Sequence, residues 1–443
     1  MNIFSKFSNL AIGISILATV LLLNIAEVKP QESEIIDLQG KHLLVISDGD
    51  FFASSYADNR IPNLNPRYQD ALTVIPLPLR NETASLNVSN SVNGPPEALA
   101  VSPDGNIAFV IEYVGQRNSD AKTREDLPTG RWLTMVDLTN PMQPKVSDRI
   151  GIAEFPEAID VHPSGKWLAI TTDSGKSEVL QLIPIDNYTL GKPIDISLKD
   201  LEIPVAEGEL NASYIEWHPN GRYLALNLYR QNRIVFLEFT QNKVSKEVSL
   251  KPWGEPVTVD SDPYSGRFSP DGAYYLTANW KRNFEADSLE GRLPTQASTV
   301  SVIRLGNNSH EVITTVESDR SSEGIAISPD GKLVATANMK ETALHISSSR
   351  FTEKATVSLF GFDATSGQLT KAGDFPFEGV LPEGISFDAT GEHLIVATFE
   401  YLNSDKPTGG LEIWRVKREP NLSLQYAGRI NVPHGSHQVI VVP

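Results

Sequence analysis

The sequence predicts an all-β fold, a seven-bladed β-propeller of four-stranded blades. Three observations carry that expectation. A strand–turn–strand pattern recurs six times along the 443 residues. Its turn glycines, Gly105, Gly165, Gly221, Gly272, Gly331 and Gly391, lie 51 to 60 residues apart, room for four strands and their loops. The two ends of the chain hold complementary halves of a seventh copy.

The clearest copy runs from Ser321 to Met339, SSEGIAISPDGKLVATANM. Ile325 and Ile327 alternate with Ala326 and Ser328, the period-2 pattern of a strand. Ser328-Pro329-Asp330-Gly331 is the turn: Pro presets φ, Asp bonds its own backbone and Gly accepts a positive φ. Leu333 to Ala337 restarts the strand. The other copies begin near Pro95, Phe155, Asn211, Pro263 and Leu381. Six and four residues before each turn glycine stand paired apolar positions, from Leu99/Val101 to Ile385/Phe387, and only Gly266 breaks that rule. Third and fourth strands follow each copy, first at Leu133–Leu138 and Lys145–Ile150, later from near Glu178 and Ile194, Arg233 and Val244, Thr299 and Glu311, Thr356 and Leu369, and Leu411 and Leu424. Strand-rich units of this period without helical patterning between them point to a propeller.

Lys41 to Asp48 reads as a second strand without a first, followed by Leu72–Leu79 and Ala84–Ser89. The chain closes on GSHQVIVVP, a first strand without a second, with Val439 and Val441 at the paired apolar positions. Pairing the C-terminal strand with the N-terminal ones closes the ring and removes an open edge. The expected organisation is a signal peptide or N-terminal anchor over residues 1–26, a linker over 27–37 and the propeller over 38–443. Lys6 before an apolar run from Leu10 to Ala26 favours export with cleavage near Ala26, to a periplasmic or secreted location; retained, the segment would be a membrane anchor.

There are no cysteines, which excludes disulfides, thiolate metal sites and a cysteine nucleophile. A formal net charge of -17 argues against a nucleic-acid partner. Nucleophile-elbow, phosphate-loop and His-Glu-x-x-His motifs are absent, and no cofactor is evident.

Loops between second and third strands are long in both halves of the chain, at 49–69, 114–130, 281–297, 340–354 and 401–409. All fall on the face where first strands begin, while the opposite face carries tight turns. Long polar loops on one face of a rigid ring mark a surface for a small molecule or a protein partner. Two of these loops share Arg-Asn near the start and Leu-Pro-Thr near the end; a third keeps Pro407-Thr408. A common ancestral turn explains this; a functional alternative has Arg117 and Arg282 reaching over the channel mouth to hold an anion.

Eight residues before each turn glycine the chain enters the innermost strand. Glu97, Glu157, Ser213, Tyr264, Glu323 and Glu383 stand there, joined by His437 from the closing strand. Four carboxylates around one opening would raise one another's pKa, and Glu323, Glu383 or His437 could then act as general acid or base. Alternatively Glu97, Glu157, Glu323 and Glu383 supply the oxygen ligands that suit Ca²⁺, or each Glu accepts hydrogen bonds from the loop before its strand. Asn279 and Trp280, ending a second strand near this face, are further candidates to line a pocket. His162 and His218 replace the Ser of the SPDG turn and are read as structural.

The repeated pattern, as in SEGIAISPDGKLVATAN, resembles the seven-bladed propellers of the lactonase and YVTN-repeat superfamily over about Asp37 to Pro443. That resemblance implies the fold. For activity it implies a lactone hydrolase of the phosphogluconolactonase type, whose members commonly carry Pro-Arg-His where the inner strand begins. Here Glu stands in that place in four blades, and only His437 keeps a His. The leading expectation is an exported, non-catalytic propeller binding a ligand or partner on its long-loop face. The alternative is a lactonase-like hydrolase in which a mouth Glu or His437 activates water. A third reading, a subunit beside a redox enzyme, has no cofactor ligand in the sequence behind it.

Overall fold

The computed structural model describes residues 36–443, apart from 62, 64, 66–67, 81, 92–96, 173–178, 204–209, 243, 246 and 403–407. The expected signal peptide or anchor and most of the linker therefore lie outside the described residues. Ile36–Pro443 forms one compact unit of seven antiparallel sheets. Among the described residues no helix is long and apolar enough to cross a membrane.

Blade 1 is built from Leu99–Val101, Ile107–Ile111, Trp132–Asp137 and Lys145–Gly151, innermost strand first. Blades 2 to 6 repeat the plan from inner strands Pro156–Val161, Ala212–Trp217, Pro263–Phe268, Ser322–Ile327 and Val380–Phe387. Ser436–Val442 pairs with His42–Ser47, which continues to Ala71–Pro76 and Ala84–Asn87. The C-terminal strand is thus the innermost of blade 7, as the complementary chain ends predict.

Second and third strands are sandwiched between neighbouring blades and need apolar side chains on both faces. Trp167–Thr172 is buried throughout. Outermost strands face water, and Lys145–Gly151 is largely exposed. Gly266 breaks the apolar pairing because Tyr275 of the next strand occupies its place: a Cβ there would lie 2.2 Å from the Tyr275 hydroxyl. Tyr275 is fully buried and donates to Asn227 Oδ1 at 2.7 Å.

The tight turns behave as their chemistry requires. Ser102 Oγ donates to Asp104 Oδ1 (2.6 Å) and accepts from the Ile107 N–H (3.0 Å). All six turn glycines have φ between 66° and 75°. Where His replaces Ser, the ring ties one blade to the next: His162 Nε2 bonds Gly221 O (2.7 Å) and His218 Nε2 bonds Gly272 O (2.9 Å). Both histidines are structural.

Candidate functional site

Six of the seven inner strands carry an irregularity at one place. In blade 2 Pro156 pairs with Thr172 and Ala158 with Thr171, so Glu157 is an extra, unpaired residue. The same bulge isolates Ser213, Tyr264, Glu323 and His437, and in blade 6 it spans Glu383 and Gly384. A bulge re-aims its side chain out of the ladder, here where the strand leaves the long-loop face. Two residues upstream the backbone is left-handed, at Phe155, Asp262, Ser321 and Leu381 (φ 52° to 60°) and at Gly435. Non-glycine residues hold that conformation at a cost of about 1 kcal/mol or more each. The bulge marks six of the seven positions that the sequence register singles out, and at five of them the left-handed residue stands beside it.

Their side chains do not form one ring. Glu97 turns down the channel, accepting from Arg267 (Nη2–Oε1 2.8 Å) and Gln438 (Nε2–Oε2 3.0 Å). Glu157 is buried near Tyr229 and Tyr264, whose phenols its charge helps push upward. Ser213 Oγ donates to Tyr264 O at 2.7 Å. His437 is fully buried, with Nε2 on Asn90 Oδ1 at 2.9 Å, and burial drops its pKa to about 3. The expected four-carboxylate metal set is corrected accordingly: Glu97 and Glu157 stand apart from the cavity that Glu323 and Glu383 line, and among the described residues no three His, Asp or Glu side chains gather as metal ligands. His437, proposed as a catalytic base, is held in the protein interior and lies outside the mouth cavity.

Glu323 and Glu383 do meet. Both are 2% exposed, and both line a cavity of about 170 Å³ at the long-loop mouth. The Oε2 atoms of both are buried without a hydrogen-bond partner among the described residues. Burial, reinforced by Asp262 against the opposing pull of Arg282, lifts the Glu323 pKa to about 8. Glu383 is pushed well above the usual carboxylate range, first by burial, then by Glu323 and Asp48. Near neutral pH Glu323 therefore holds its proton, and Glu383 is pushed in the same direction.

The cavity walls come from the long loops. Tyr56, Arg124, Leu293, Met339 and Ala343 join Tyr264, Trp280 and Leu381 around the carboxyl pair. Most belong to one apolar cluster that also contains Phe51, Leu127 and Phe399, so the loops pack on one another across the mouth. Trp280 is thus in the candidate pocket. Asn279 is not: fully buried, it donates to Thr299 and Ser301 and fixes the next strand.

The two arginines read as anion clamps are already engaged. Arg282 grips Asp262 through Nε–Oδ2 (2.8 Å) and Nη2–Oδ1 (2.9 Å), stacked 4.1 Å from Tyr264 and 4.2 Å from Trp280. Arg117 donates from Nη2 to Ala121 O (2.7 Å) and from its backbone to Asp50 Oδ2 (3.1 Å), with its Nε 4.0 Å from that carboxylate. These are loop-shaping pairs, and Arg282 borders the cavity as a neutralised partner. A less committed guanidinium was missed: Arg124 lies 5.1 Å from the Tyr56 ring and 5.6 Å from Phe51, with no hydrogen-bond partner among the described residues.

Further down the channel, a second cavity of about 370 Å³ is lined by Glu97, Asp160, Glu216 and Arg267. The last three occupy one register place, between the paired apolar residues, in consecutive blades. Their carboxylates cap the neighbouring inner strand: Asp160 accepts from Trp217 N (2.6 Å) and Glu216 from Phe268 N (2.8 Å). Burial, against those bonds, raises Asp160 to about 7 and Glu216 well above its ordinary value. Their chemistry serves the closure of the ring.

No protein-family model and no curated protein matches the chain. Solved structures do. A periplasmic gluconolactonase of Pseudomonas aeruginosa superposes with a TM-score of 0.61 at 15% identity, covering 91% of this chain and 99% of its own. A Bacteroides fragilis protein provisionally assigned as a 6-phosphogluconolactonase gives 0.60 at 17%, over 94% and 100%. A functionally unknown protein of Desulfotomaculum acetoxidans gives 0.60 at 12%, over 91% and 99%. At these identities the likeness is one of fold: the chain is a seven-bladed propeller shaped like the lactonase-type proteins.

Proposed function

We propose that this propeller binds a small polar organic molecule in the cavity at its long-loop mouth, held by Glu323 and Glu383. One observation carries the reading: two buried carboxyl groups line the same cavity, each with an oxygen that no group among the described residues satisfies. Such an atom costs about 1–3 kcal/mol unless a partner arrives. A pocket with apolar walls and a few converging polar groups is the ordinary form of a ligand site. The test is thermal stabilisation by a panel of sugars, sugar acids, lactones, amines and amino acids. A compound that raises Tm for the native protein and not for the Glu323→Gln/Glu383→Gln double variant supports the reading. A folded protein that no member stabilises contradicts it.

A second reading, lactone hydrolysis, is favoured by the elevated Glu323 pKa and by the lactonase-type neighbours of the fold. Ionised Glu323 would take a proton from water as the oxygen attacks the lactone carbonyl. The ring C–O bond breaks, and its oxygen leaves protonated by Glu383. Because Glu323 must ionise, turnover should rise through about pH 8. Turnover lost in Glu323→Gln and unaffected by chelator would establish it; chelator sensitivity would bring a cation into the site; no turnover would leave binding alone. We also propose export, resting on the apolar run Leu10–Ala26. N-terminal sequencing of protein recovered outside the cytoplasm, starting near Glu27, would bear it out; recovery of uncleaved chain in the cytoplasm would oppose it.

A further inference from the structure

The mouth cavity is lined by groups of both charge signs. Its floor carries Glu323 and Glu383, each with an unsatisfied acceptor oxygen. Two more cavity residues are cationic and face no carboxylate in an ion pair among the described residues: Arg124, whose guanidinium has no hydrogen-bond partner among them, and Arg292, whose guanidinium commits only Nε, to Ala286 O at 2.9 Å. Arg282, the third cation, is cancelled by Asp262. Tyr56 also lines the cavity, its phenol pKa pushed up first by burial and then by Glu383 and Asp48, with Arg124 pulling it down. The rest of the wall is largely apolar, from Leu289, Leu293, Met339 and Leu381.

Resting on the ligand-site reading above, we infer that the cavity takes a small zwitterion bearing a primary amine and a carboxylate, an amino acid in the broad sense. Its ammonium would sit on Glu323 and Glu383, and its carboxylate would meet Arg124 and Arg292. A volume of about 170 Å³ compares with the roughly 150 Å³ cavity that holds benzene, so the ligand has few heavy atoms between its charged ends. The amine is primary because the two open carboxyl oxygens accept hydrogen bonds, which a quaternary ammonium has no N–H to donate. The aromatic faces that would otherwise attract one, Tyr264 and Trp280, already hold Arg282. A planar guanidinium is suited to the carboxylate end.

The arrangement couples binding to protons. In the free site Glu323 is protonated near neutral pH, so an ammonium arriving beside it displaces a proton to solvent. Affinity should then rise with pH by up to about tenfold per unit between pH 6 and 8.

The experiment titrates the full folded protein by calorimetry with alanine, valine and γ-aminobutyrate. Butyrate, butylamine, glycine betaine, gluconate and gluconolactone serve as comparators. An amino acid should bind at least tenfold more tightly than butyrate, butylamine or betaine, and titration in two buffers of different ionisation heat should show proton release. Arg124→Met should weaken the amino acid about tenfold and leave butylamine unchanged, a contrast that a merely structural defect would not produce. Glu383→Gln should weaken both. If gluconate or gluconolactone binds in a Glu383-dependent way and no amino acid does, the zwitterion is wrong while the ligand site stands. If nothing binds to a protein whose circular dichroism and Tm are native, both fail.

Discussion

Replacing Glu323 by Gln should stabilise the protein, and increasingly so as pH rises. Burial moves this carboxyl from its ordinary 4.5 up to about 8. Through that window the unfolded chain has lost the proton and the folded chain keeps it. Folding takes up a proton there, and stability attributable to this group falls with rising pH until the folded carboxyl also ionises. At 1.36 kcal/mol per unit, the loss between pH 5 and pH 8.5 is on the order of 4 kcal/mol. An unfolding entropy of about 2.1 cal/mol/K per residue over roughly 400 residues makes this about 4–5 °C in Tm. Gln fits the same space, cannot ionise, and removes the dependence. Scanning calorimetry of both proteins across this range should therefore show the variant's advantage growing by about 4 °C. A difference that stays flat with pH, or a variant that loses ground as pH rises, would refute the burial argument for Glu323.

Three further outcomes follow from the packing. Arg282→Ala leaves Asp262, 1% exposed, without its cation, and should cost about 3–5 kcal/mol in urea unfolding; adding Asp262→Asn should restore part of the loss, whereas a neutral single variant would show the pair to be unimportant. Gly266→Ala drives a methyl into Tyr275 and should cost about 1–3 kcal/mol, relieved when Tyr275 is also made Leu; equal losses in single and double variants would mean that the site is not overpacked. Ending the chain at Gly435 removes the strand that pairs with His42–Ser47, and should abolish the single cooperative melt; a truncated monomer with native Tm would contradict closure by that strand.

The blades are legible in the sequence because each carries its own local code: alternating apolar pairs, then a turn whose Ser, Asp and Gly satisfy one another within five residues. The split blade is legible for the same reason, since Val439 and Val441 keep the register of a first strand. Counting from the turn glycine also reaches Glu323 and Glu383. What counting cannot supply is convergence. All seven mouth positions share a register, yet their side chains diverge according to what the neighbouring loops offer: Arg267 and Gln438 draw Glu97 away, and Asn90 holds His437. The anion-clamp alternative for Arg282 and Arg117 could not be weighed from the sequence because their partners, Asp262 and Asp50, come from outside their loops. Tyr56, Arg124 and Met339 reach the cavity from irregular loops without periodicity, so no pattern singles them out. Asp160, Glu216 and Arg267 could have been found, since they put charge into an otherwise uncharged register in three consecutive blades.

The central claim is that ligand chemistry belongs to the long-loop mouth and not to the channel beyond it. The most direct measurement is a calorimetric titration of whichever compound stabilises the native protein, repeated in Glu323→Gln/Glu383→Gln and in Glu97→Gln. The account predicts at least tenfold weaker binding in the first variant and unchanged binding in the second. Binding that survives at the mouth variant and is lost in Glu97→Gln would move the site to the channel cavity and contradict the account.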